Sequence, residues 1–372
     1  MPPMSEKKSI NALFIIHGLN VGGMEKHLLM LCSELLKTEN NVTVISLTPD
    51  GILRPLFIQN GVKILTIARQ RFFPLGWFMY TLTLYKYLKA LNIDVFHIYL
   101  GWTHILELIA SKIANTKCTI TTRRGRVNEL FGSRLILRQI SNIFVDEIVA
   151  NSKFILSWAR RKERWKKELG VVIYNGVDES VIDLITVNPL HEFKEKTIVY
   201  VASLTDVKRH IDLLHAAKIV VDQRDDVSFL FVGDGYNRNN LEKYIEMNEL
   251  NERIHLLGHR VDVRSILAHS TISLNCSVSE CNSNAILESM AEGIPIIATN
   301  IEGNVELVSD GYNGILIQPQ KPILLAEAIL NMLIDPEKAL NMGRNGKKQI
   351  NRFFSKDAMV NKTTSLYAKY LY

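Results

Sequence analysis

The chain has 372 residues, of which 47% are apolar and 22% charged, and its formal net charge is +6. This length and composition suit two globular domains with separate cores, and they exclude a fibrous repeat or an intrinsically disordered chain. No run reaches the roughly 18 apolar residues of a spanning helix, and the polar opening MPPMSEKKSI lacks the features of a secretory signal. We therefore expect a cytoplasmic protein.

Charge is distributed unevenly along the chain. Residues 1–180 carry 24 Lys and Arg against 14 Asp and Glu, a net charge of +10, whereas the remainder carries 20 against 24, a net charge of −4. A basic half favours an anionic partner, either an anionic acceptor or an anionic membrane surface. No nucleic-acid motif accompanies this charge, so we expect no nucleic acid among the partners.

In residues 1–180, short apolar runs alternate with helical stretches, which is the pattern of a parallel sheet with crossover helices. The first run, residues 12–16, is followed by Gly22 and Gly23, which we expect in a tight loop before a helix over residues 24–36. Further strands are predicted over residues 41–47, 62–67, 94–98, 118–122, 147–150 and 170–173. Together these runs predict one doubly wound domain.

Two stretches of this half combine basic and aromatic residues. Residues 69–80 place two arginines directly before the cluster FFPLGWFMY, and residues 158–167 form a strongly basic helix with Trp158 and Trp165 one heptad apart. Such segments are typical of a membrane interface. The structural alternatives are a core helix with a polar start and a solvated helix whose tryptophans pack inward.

Residues 181–355 repeat the alternation of strands and helices. Strands are predicted over residues 197–202, 228–232, 254–257, 272–274, 294–298 and 314–317. The connecting stretch, residues 175–196, contains Asn-Gly and Asn-Pro pairs, so we place a domain boundary near residue 180. Ligands of open parallel sheets bind at the carboxyl ends of strands, and we therefore expect the active site in a cleft between the two domains.

Two carboxylates stand eight positions apart in the segment ECNSNAILE, Glu280 and Glu288. A helix is predicted to begin near Asn282, because Asn282, Ser283 and Asn284 are all good N-cap residues. Glu280 would then lie just ahead of the helix and Glu288 about two turns into it. Unsatisfied amides at a helix start suit phosphate, and carboxylates suit sugar hydroxyls. This short stretch could therefore hold both halves of a nucleotide sugar.

Lys208 lies just beyond a predicted strand, where a cation at a loop-to-helix junction can reach a diphosphate and stabilise a leaving group. Other phosphate motifs are incomplete: Gly233 and Gly235 lack the third glycine of a dinucleotide fingerprint, and no Walker lysine follows a Gly-rich loop. The four cysteines show no metal-ligand spacing, so we expect neither zinc nor a disulfide. We expect no cofactor and no metal at the site.

The segment ECNSNAILE, followed by GIPIIAT, closely resembles the motif of the retaining glycosyltransferases of family 4, also called group 1. The resemblance extends over most of the chain, through GGMEKHLLMLCSEL, VIYNGVD, VYVASLTDVKRHIDLLHA, FVGDG and IHLLGHRVDV. It implies an α/β protein with the GT-B fold, in which two Rossmann-like doubly wound domains face each other across a cleft. The domains would be residues 1–180, for the acceptor, and 181–355, for the nucleotide sugar, with a final helix over residues 356–372 crossing back to the first.

The implied activity is transfer of a sugar, with retention of configuration, from a nucleoside diphosphate sugar to a glycan or lipid-linked acceptor in cell-surface polysaccharide synthesis. Catalysis would rest on Lys208 and Glu280. We expect donor binding at Gly23, Arg209, Gly233, Ser283, Asn284, Ala285 and Glu288. We expect Gly22, Arg123 and Arg124 on the acceptor side. No protein base is required, because the leaving phosphate would itself take the acceptor proton.

The chain departs from the family pattern at two places. The arginine that usually stands five residues before Lys208 is Ser203, so Arg209 or a basic residue of the first domain would have to supply the second positive charge. A histidine that often follows the strand at 118–122 is replaced by the sequence RRGR. Guanidinium groups suit phosphate, and this favours a phosphorylated or pyrophosphate-linked acceptor. His17, His97 and His104 could contact ligand, although a histidine beside an apolar strand is more often structural.

Two other classes of function remain open. A nucleotide-sugar epimerase of the same architecture would convert the donor sugar in the absence of an acceptor. A noncatalytic paralogue that binds glycan or lipid would turn over no donor with any acceptor. The sequence does not distinguish the sugar, the base or the acceptor.

Overall fold

A computed structural model describes residues 9–68, 74–100, 104–125, 132–165, 168–178 and 192–372. The chain divides into two compact units, the first formed by Met1–Asn175 with Asp357–Tyr372 and the second by Gly176–Lys356. Each unit contains one sheet of parallel strands covered by helices. The predicted α/β class is confirmed. Among the described residues, no helix is both long enough and apolar enough to cross a bilayer.

The sheet of the first unit has seven parallel strands in the order β3-β2-β1-β4-β5-β6-β7. They are β1 (Asn11–Ile16), β2 (Asn41–Ser46), β3 (Lys63–Thr66), β4 (Val95–Tyr99), β5 (Cys118–Arg123), β6 (Glu147–Ala150) and β7 (Val171–Val172). Strand β1 pairs with β2 on one side and with β4 on the other. The strand order therefore reverses between β1 and β4, at the topological switch point where open sheets of this class bind ligands.

Helices cover both faces of this sheet. They are α1 (Gly23–Lys37), α2 (Arg54–Gln59), α3 (Leu75–Ala90), α4 (Ile105–Ala114), α5 (Gly132–Ser141) and α6 (Lys153–Glu163). Because side chains alternate along a strand, Phe14 packs with Leu28 and Leu31 of α1, whereas Leu13 and Ile15 pack on the other face with residues of α3 and α4. Burial on both faces explains why the strands read as continuous apolar runs.

The second unit has six parallel strands in the order β10-β9-β8-β11-β12-β13. They are β8 (Lys196–Val201), β9 (Val227–Val232), β10 (Ile254–Gly258), β11 (Ile272–Asn275), β12 (Ile296–Thr299) and β13 (Gly314–Ile317). The helices are α7 (His210–Val221), α8 (Arg238–Met247), α9 (Val263–Ala268), α10 (Asn284–Glu292), α11 (Pro322–Ile334) and α12 (Pro336–Gln349). Here the strand order reverses between β8 and β11.

The last helix, α13 (Lys356–Leu371), belongs almost entirely to the first unit. Its Met359, Leu366 and Tyr367 are buried in the same cluster as Phe14 of β1. The Tyr367 hydroxyl also lies 2.8 Å from Nδ1 of His97 on β4. The chain thus returns to its first sheet after completing the second.

Candidate active site

The switch point of the second unit brings two predicted residues together. Lys208 follows β8 in a short 3₁₀ helix (Asp206–Lys208), and Glu280 follows β11. Because β8 and β11 are neighbours in the sheet, the loops after their carboxyl ends share one edge. A backbone hydrogen bond of 3.0 Å, from the Val278 amide to the Val207 carbonyl, joins the two loops. The fold therefore brings together two residues that are 72 positions apart in sequence.

The Lys208 ammonium forms an ion pair with Oε1 of Glu280. The same oxygen accepts hydrogen bonds from the Ser277 hydroxyl at 3.0 Å and from the Asn275 amide at 3.5 Å. In the described part of the chain no donor contacts Oε2, so this oxygen can accept a ligand hydroxyl. The Lys208 and Glu280 side chains are 23% and 13% exposed, and both are accessible to a small ligand.

Tyr200 of β8 bonds both loops that carry the Lys208–Glu280 pair. Its buried hydroxyl donates to the Lys208 carbonyl at 2.9 Å and lies 3.2 Å from the Ser277 hydroxyl. Burial raises the pKa of Tyr200 well above its usual value, so the phenol stays neutral and keeps its proton as a donor. One side chain therefore holds both the loop of Lys208 and the loop of Glu280.

His210, the first residue of α7, is a buried neighbour that the sequence reasoning missed. Its ring stacks on Tyr200 with a centroid distance of 4.8 Å, and it is 3% exposed. Burial, together with the charge of Lys208, lowers the pKa of His210 to about 4, so the ring is neutral at pH 7. The only signal in the sequence was its position two residues after Lys208, and this position does not distinguish a packing role from a polar one.

Arg209 has a left-handed backbone, with φ of 54°, at the turn into α7. Its guanidinium makes two parallel hydrogen bonds of 2.8 Å to the Asp212 carboxylate. These bonds raise the pKa of Arg209, and they neutralise much of its charge locally. Ser203, where the family usually has arginine, is exposed in the same loop. Lys208 is therefore the cation that the loop directs toward Glu280.

The glycines of the FVGDG turn allow two backbones to touch. Gly233 has φ of 136°, and a Cβ there would collide with the Ala202 carbonyl oxygen. A Cβ at Gly235 would lie 2.5 Å from the Leu204 carbonyl oxygen. The turn after β9 thus packs directly against the loop that leads from β8 to Lys208. Gly233 shapes the site through the backbone.

Helix α10 begins at Asn284, two residues later than the sequence predicts, with Ser283 as the N-cap. The Ser283 hydroxyl accepts a hydrogen bond from Asn275 at 3.1 Å and does not cap the helix amides. Asn284 and Ala285 are half-buried in the first turn. Glu288, also half-buried, lies just over one turn into the helix, because the helix starts later than expected.

The loop after β12 packs against the backbone of Glu280. A Cβ at Gly303 would collide with the Glu280 carbonyl oxygen, so only glycine fits this approach. The fully buried Asn304 donates to the Thr299 carbonyl at 3.0 Å and to Oδ1 of Asn275 at 3.3 Å. The sequence analysis missed Gly303, Asn275 and Asn304, because their roles depend on which strand ends are adjacent.

In the first unit, Gly22 and Gly23 form the start of α1 at the switch point between β1 and β4. Gly22 is the N-cap with an extended backbone, and Gly23 is the first helical residue. Arg124, after β5, donates to Oδ1 of Asn175 at 2.6 Å and lies over the ring of Tyr99, 5.3 Å from its centroid. Burial raises the pKa of Glu25 in the first turn of α1, and the charge of Arg124 partly offsets this. Arg124 therefore belongs to a polar cluster at this edge.

Arg123 does not lie where the sequence analysis places it. Its side chain is 2% exposed and bonds Glu163 through Nε, at 3.2 and 3.1 Å, and through Nη2, at 3.0 Å. Nη2 also donates to Asn142 at 2.9 Å. A guanidinium buried in this way is not available to an acceptor phosphate, so this expectation is corrected. The strand pleat accounts for the difference, because consecutive residues point to opposite faces of a sheet. Arg126 lies outside the described residues.

The three histidines considered from the sequence have different settings. Both ring nitrogens of His97 are occupied, by Tyr367 and by the Thr122 hydroxyl at 2.7 Å, and burial lowers its pKa to about 3. His104 is fully buried, with Nε2 3.2 Å from the Arg138 guanidinium. His17 is exposed. His97 and His104 are therefore structural residues.

Family models match both halves of this chain. Residues 21–181 match the family model Glycosyltransferase Family 4, and residues 184–349 match Glycosyl transferases group 1. The UDP-Gal:alpha-D-GlcNAc-diphosphoundecaprenol alpha-1,3-galactosyltransferase of Escherichia coli is 31% identical over 304 residues, which cover 77% of this chain and 78% of that protein.

Solved structures show the same fold. A glycosyltransferase from Rickettsia africae superposes with a TM-score of 0.88 at 20% identity, covering 98% of this chain and 99% of that one. Anabaena HepE in complex with UDP superposes with a TM-score of 0.84 at 21% identity, covering 97% of this chain and all of that one. The chain therefore belongs to the glycosyltransferases of family 4, group 1, and has the GT-B fold.

Proposed function

We propose that this glycosyltransferase moves a sugar from a nucleoside diphosphate sugar to a glycan or lipid-linked acceptor, with retention of anomeric configuration, in the synthesis of a cell-surface polysaccharide. The observation that carries the proposal is the Lys208–Glu280 pair beside the start of α10 at a strand switch point. The E. coli relative, named for UDP-Gal and a diphosphoundecaprenol acceptor, supports this choice of donor and acceptor classes.

Lys208 has the role of holding the donor diphosphate. An ammonium group has three donors, so it can keep its bond to Glu280 and still donate to phosphate oxygens. The amides at the start of α10, whose N-cap Ser283 makes no side-chain cap, add donors and the positive end of the helix dipole. Positive charge at this point stabilises the diphosphate as it leaves. Arg209, paired with Asp212, contributes less.

The two glutamates bind the two other parts of the donor, the sugar and the ribose. Glu280, with Oε1 engaged by Lys208, Ser277 and Asn275, presents Oε2 to a hydroxyl of the donor sugar. Glu288, one turn into α10, accepts hydrogen bonds from the ribose hydroxyls. Gly233 acts by keeping the β9 turn against the loop of Lys208, and the first turn of α1, with Gly22 and Gly23, approaches the ligand without side-chain bulk.

In the reaction, the bond between the sugar anomeric carbon and the diphosphate oxygen breaks, and a bond from the acceptor oxygen to the same carbon forms on the same face. The acceptor hydroxyl proton passes to the leaving phosphate oxygen, so the step balances without a protein base or a metal. Arg124 is the basic residue of the first unit that we assign to the acceptor side. We further propose that the enzyme works at the inner face of the membrane when the acceptor is lipid-linked.

A ligand screen followed by turnover tests this function. Thermal unfolding in the presence of UDP, GDP and ADP sugars identifies the donor, because a ligand at about 100 times its dissociation constant stabilises by about 2.7 kcal/mol. The expected result is one stabilising donor class, then transfer to a pyrophosphate-linked acceptor with the anomeric configuration retained by NMR. Conversion of the sugar without acceptor, or binding without any turnover, would contradict the proposal.

A further inference from the structure

Helix α5 buries polar side chains and exposes apolar ones, which is the opposite of an ordinary surface helix. Its buried positions carry the polar residues Arg138 and Ser141, which are 1% and 0% exposed. Its outward face and the following 3₁₀ turn (Asn142–Phe144) carry large apolar side chains that are between 41% and 63% exposed, namely Ile136, Leu137, Ile140, Ile143 and Phe144. These positions recur every three or four residues and form one stripe, which we call the α5 stripe.

Buried ion pairing fixes this orientation of the helix. Nε of Arg138 lies 3.3 Å from the Glu163 carboxylate, and Nη1 lies 3.2 Å from His104. The same carboxylate accepts from Arg123, from Asn142 at 3.0 Å and from the Trp165 indole at 2.9 Å. Rotating α5 to bury its apolar face would break this network and leave charges unpaired inside the unit. The α5 stripe is therefore held outward.

The neighbouring helices α3 and α4 also expose large apolar side chains. Helix α4 packs against both α3 and α5, and it exposes Ile109 and Ile113 at 41% and 61%. The start of α3 exposes Trp77 and Phe78. Soluble monomeric proteins seldom expose so many large apolar side chains on adjacent elements, and such surfaces usually mark a binding site for protein or membrane.

The exposed charges in the segments that contain α4, α5 and α6 have one sign, although Lys112 and Lys117 pair with Asp146 and Asp94. In residues 104–125 and 132–165, the exposed charged side chains are all basic, namely Lys112, Lys117, Arg134, Lys153, Arg161 and Arg164. The acidic residues of these ranges are buried or half-buried, namely Glu107, Asp146, Glu147 and Glu163. An apolar stripe on a helix that also exposes Arg134, next to a helix that exposes Lys153 and Arg161, fits the interface of an anionic bilayer. There, apolar side chains enter the headgroup boundary and cations meet the lipid phosphates.

We propose that the α5 stripe docks the first unit on an anionic membrane surface. This inference rests on the proposed function for the lipid-linked acceptor. It adds to that function the surface that contacts the bilayer. A second copy of the chain fits less well, because a two-fold dimer would place the same basic patch against itself. The basic helix predicted over residues 158–167 is not this surface. Helix α6 ends at Glu163, and residues 166–167 and 69–73 lie outside the described residues. Trp165 is 9% exposed and Trp158 is partly buried, and both pack inward.

Co-sedimentation of the full chain with vesicles, without donor or acceptor, tests the docking. Wild type is expected to bind vesicles of phosphatidylglycerol and phosphatidylcholine, and binding should fall as the Debye length shrinks from about 10 Å at 0.1 M salt to about 3 Å at 1 M. The variant Ile136→Ser, Leu137→Ser, Ile140→Ser should bind at least about tenfold more weakly. The charge variant Arg134→Gln, Arg161→Gln should lose binding mainly at low salt.

The matched control replaces three exposed apolar residues of the second unit, in the variant Met247→Ser, Ile323→Ser, Ile334→Ser. This control should bind vesicles like wild type. Wild-type binding by the α5 variant, or no binding by wild type, would overturn the proposal. So would a wild-type dimer in sedimentation velocity that the α5 variant splits without any vesicle binding. Transfer to a water-soluble acceptor is measured separately, so failure of docking and failure of the proposed function are distinguishable.

Discussion

At the scale of single residues, the ion pair between Lys208 and Glu280 is the centre of the candidate site. Its donors and acceptors are held in place before any ligand arrives, since Tyr200 fixes the Lys208 carbonyl and Ser277 and Asn275 hold the carboxylate. Preorganised groups of this kind stabilise developing charge without reorganising during the reaction. The pair is partly exposed, so its value lies in positioning more than in stability.

Removal of the Lys208 ammonium should therefore reduce turnover. In Lys208→Ala we expect kcat to fall about 100-fold or more, because in the proposed role the lost contact stabilises mainly the leaving diphosphate in the transition state. The matched control is Lys218→Ala, which removes an exposed lysine of α7 that pairs with Asp222 on the surface. Steady-state kinetics should show wild-type turnover in the control, and wild-type turnover in Lys208→Ala would refute the role of that lysine.

The two glutamates should respond differently to loss of charge. Glu288→Gln is expected to weaken binding of the free nucleoside diphosphate, because a carboxylate is the stronger acceptor for ribose hydroxyls. Glu280→Gln is expected to leave that affinity nearly intact and to impair sugar transfer. Titration calorimetry with the nucleotide, beside initial rates, separates the two effects, and Glu246→Gln on the exposed face of α8 serves as control. Equal losses of nucleotide affinity would disprove this division.

At the scale of elements, the site depends on four loops, after β8, β9, β11 and β12, that touch through their backbones. Gly233 and Gly235 bring the β9 turn against the β8 loop, and Gly303 brings the β12 loop against Glu280. Each contact lies at the carboxyl ends of adjacent parallel strands. The loops therefore position the side chains of Lys208 and Glu280, and the sheet determines where the loops meet.

A methyl group at Gly233 should separate these loops. Its Cβ would collide with the Ala202 carbonyl, and its φ of 136° strains any L residue. We expect Gly233→Ala to cost about 1–3 kcal/mol of unfolding free energy and to weaken nucleotide binding by displacing the loop of Lys208. The control is Gly125→Ala, where a Cβ meets nothing within 4 Å. Urea unfolding and nucleotide titration of both variants check this, and equal behaviour would argue against the loop contact.

At the scale of the whole molecule, buried ionisable groups make stability depend on pH. Burial, with the charge of Arg124, lowers the pKa of His97 to about 3, and burial lowers that of His210 to about 4. For Glu163, burial alone would raise the pKa, but Arg123 and Arg138 overcome it and lower the pKa to about 2. Each unit thus contains a group whose folded pKa lies below its unfolded value.

In all three cases the unfolded chain binds protons more readily than the folded one, so stability falls as pH falls. The histidines should destabilise the fold as pH drops below their unfolded value of 6.5, and Glu163 should add to the loss as pH drops from 4.5 toward 2. Urea unfolding at a series of pH values is expected to show this decline, and His97→Gln should make it shallower between pH 6.5 and 4. A stability independent of pH over this range would show that the histidines are not buried as neutral groups.

Residue pattern alone predicted the parallel strands well, because burial on both faces makes each strand a continuous apolar run. The ends of elements were less accurate. The strand predicted over residues 294–298 is β12 (Ile296–Thr299), and the run at 170–173 contributes only the two residues of β7. Strand ends depend on pairing with a neighbouring strand. The start of α10 also depends on a contact outside the helix, since the Ser283 side chain bonds Asn275 and not the amides of its own helix.

The sequence by itself determined the α/β class and the family, because strand runs and motif order can be read along the chain. It also predicted Lys208 and Glu280 as residues of the candidate site, each from its own motif. Only the tertiary structure decided which side chains meet. Arg123 and Arg124 are adjacent in sequence, yet the pleat of β5 buries one with Glu163 and leaves the other beside Tyr99. The outward direction of the α5 stripe could likewise not be predicted from the sequence, because it depends on the buried contacts of Arg138 with Glu163 and His104.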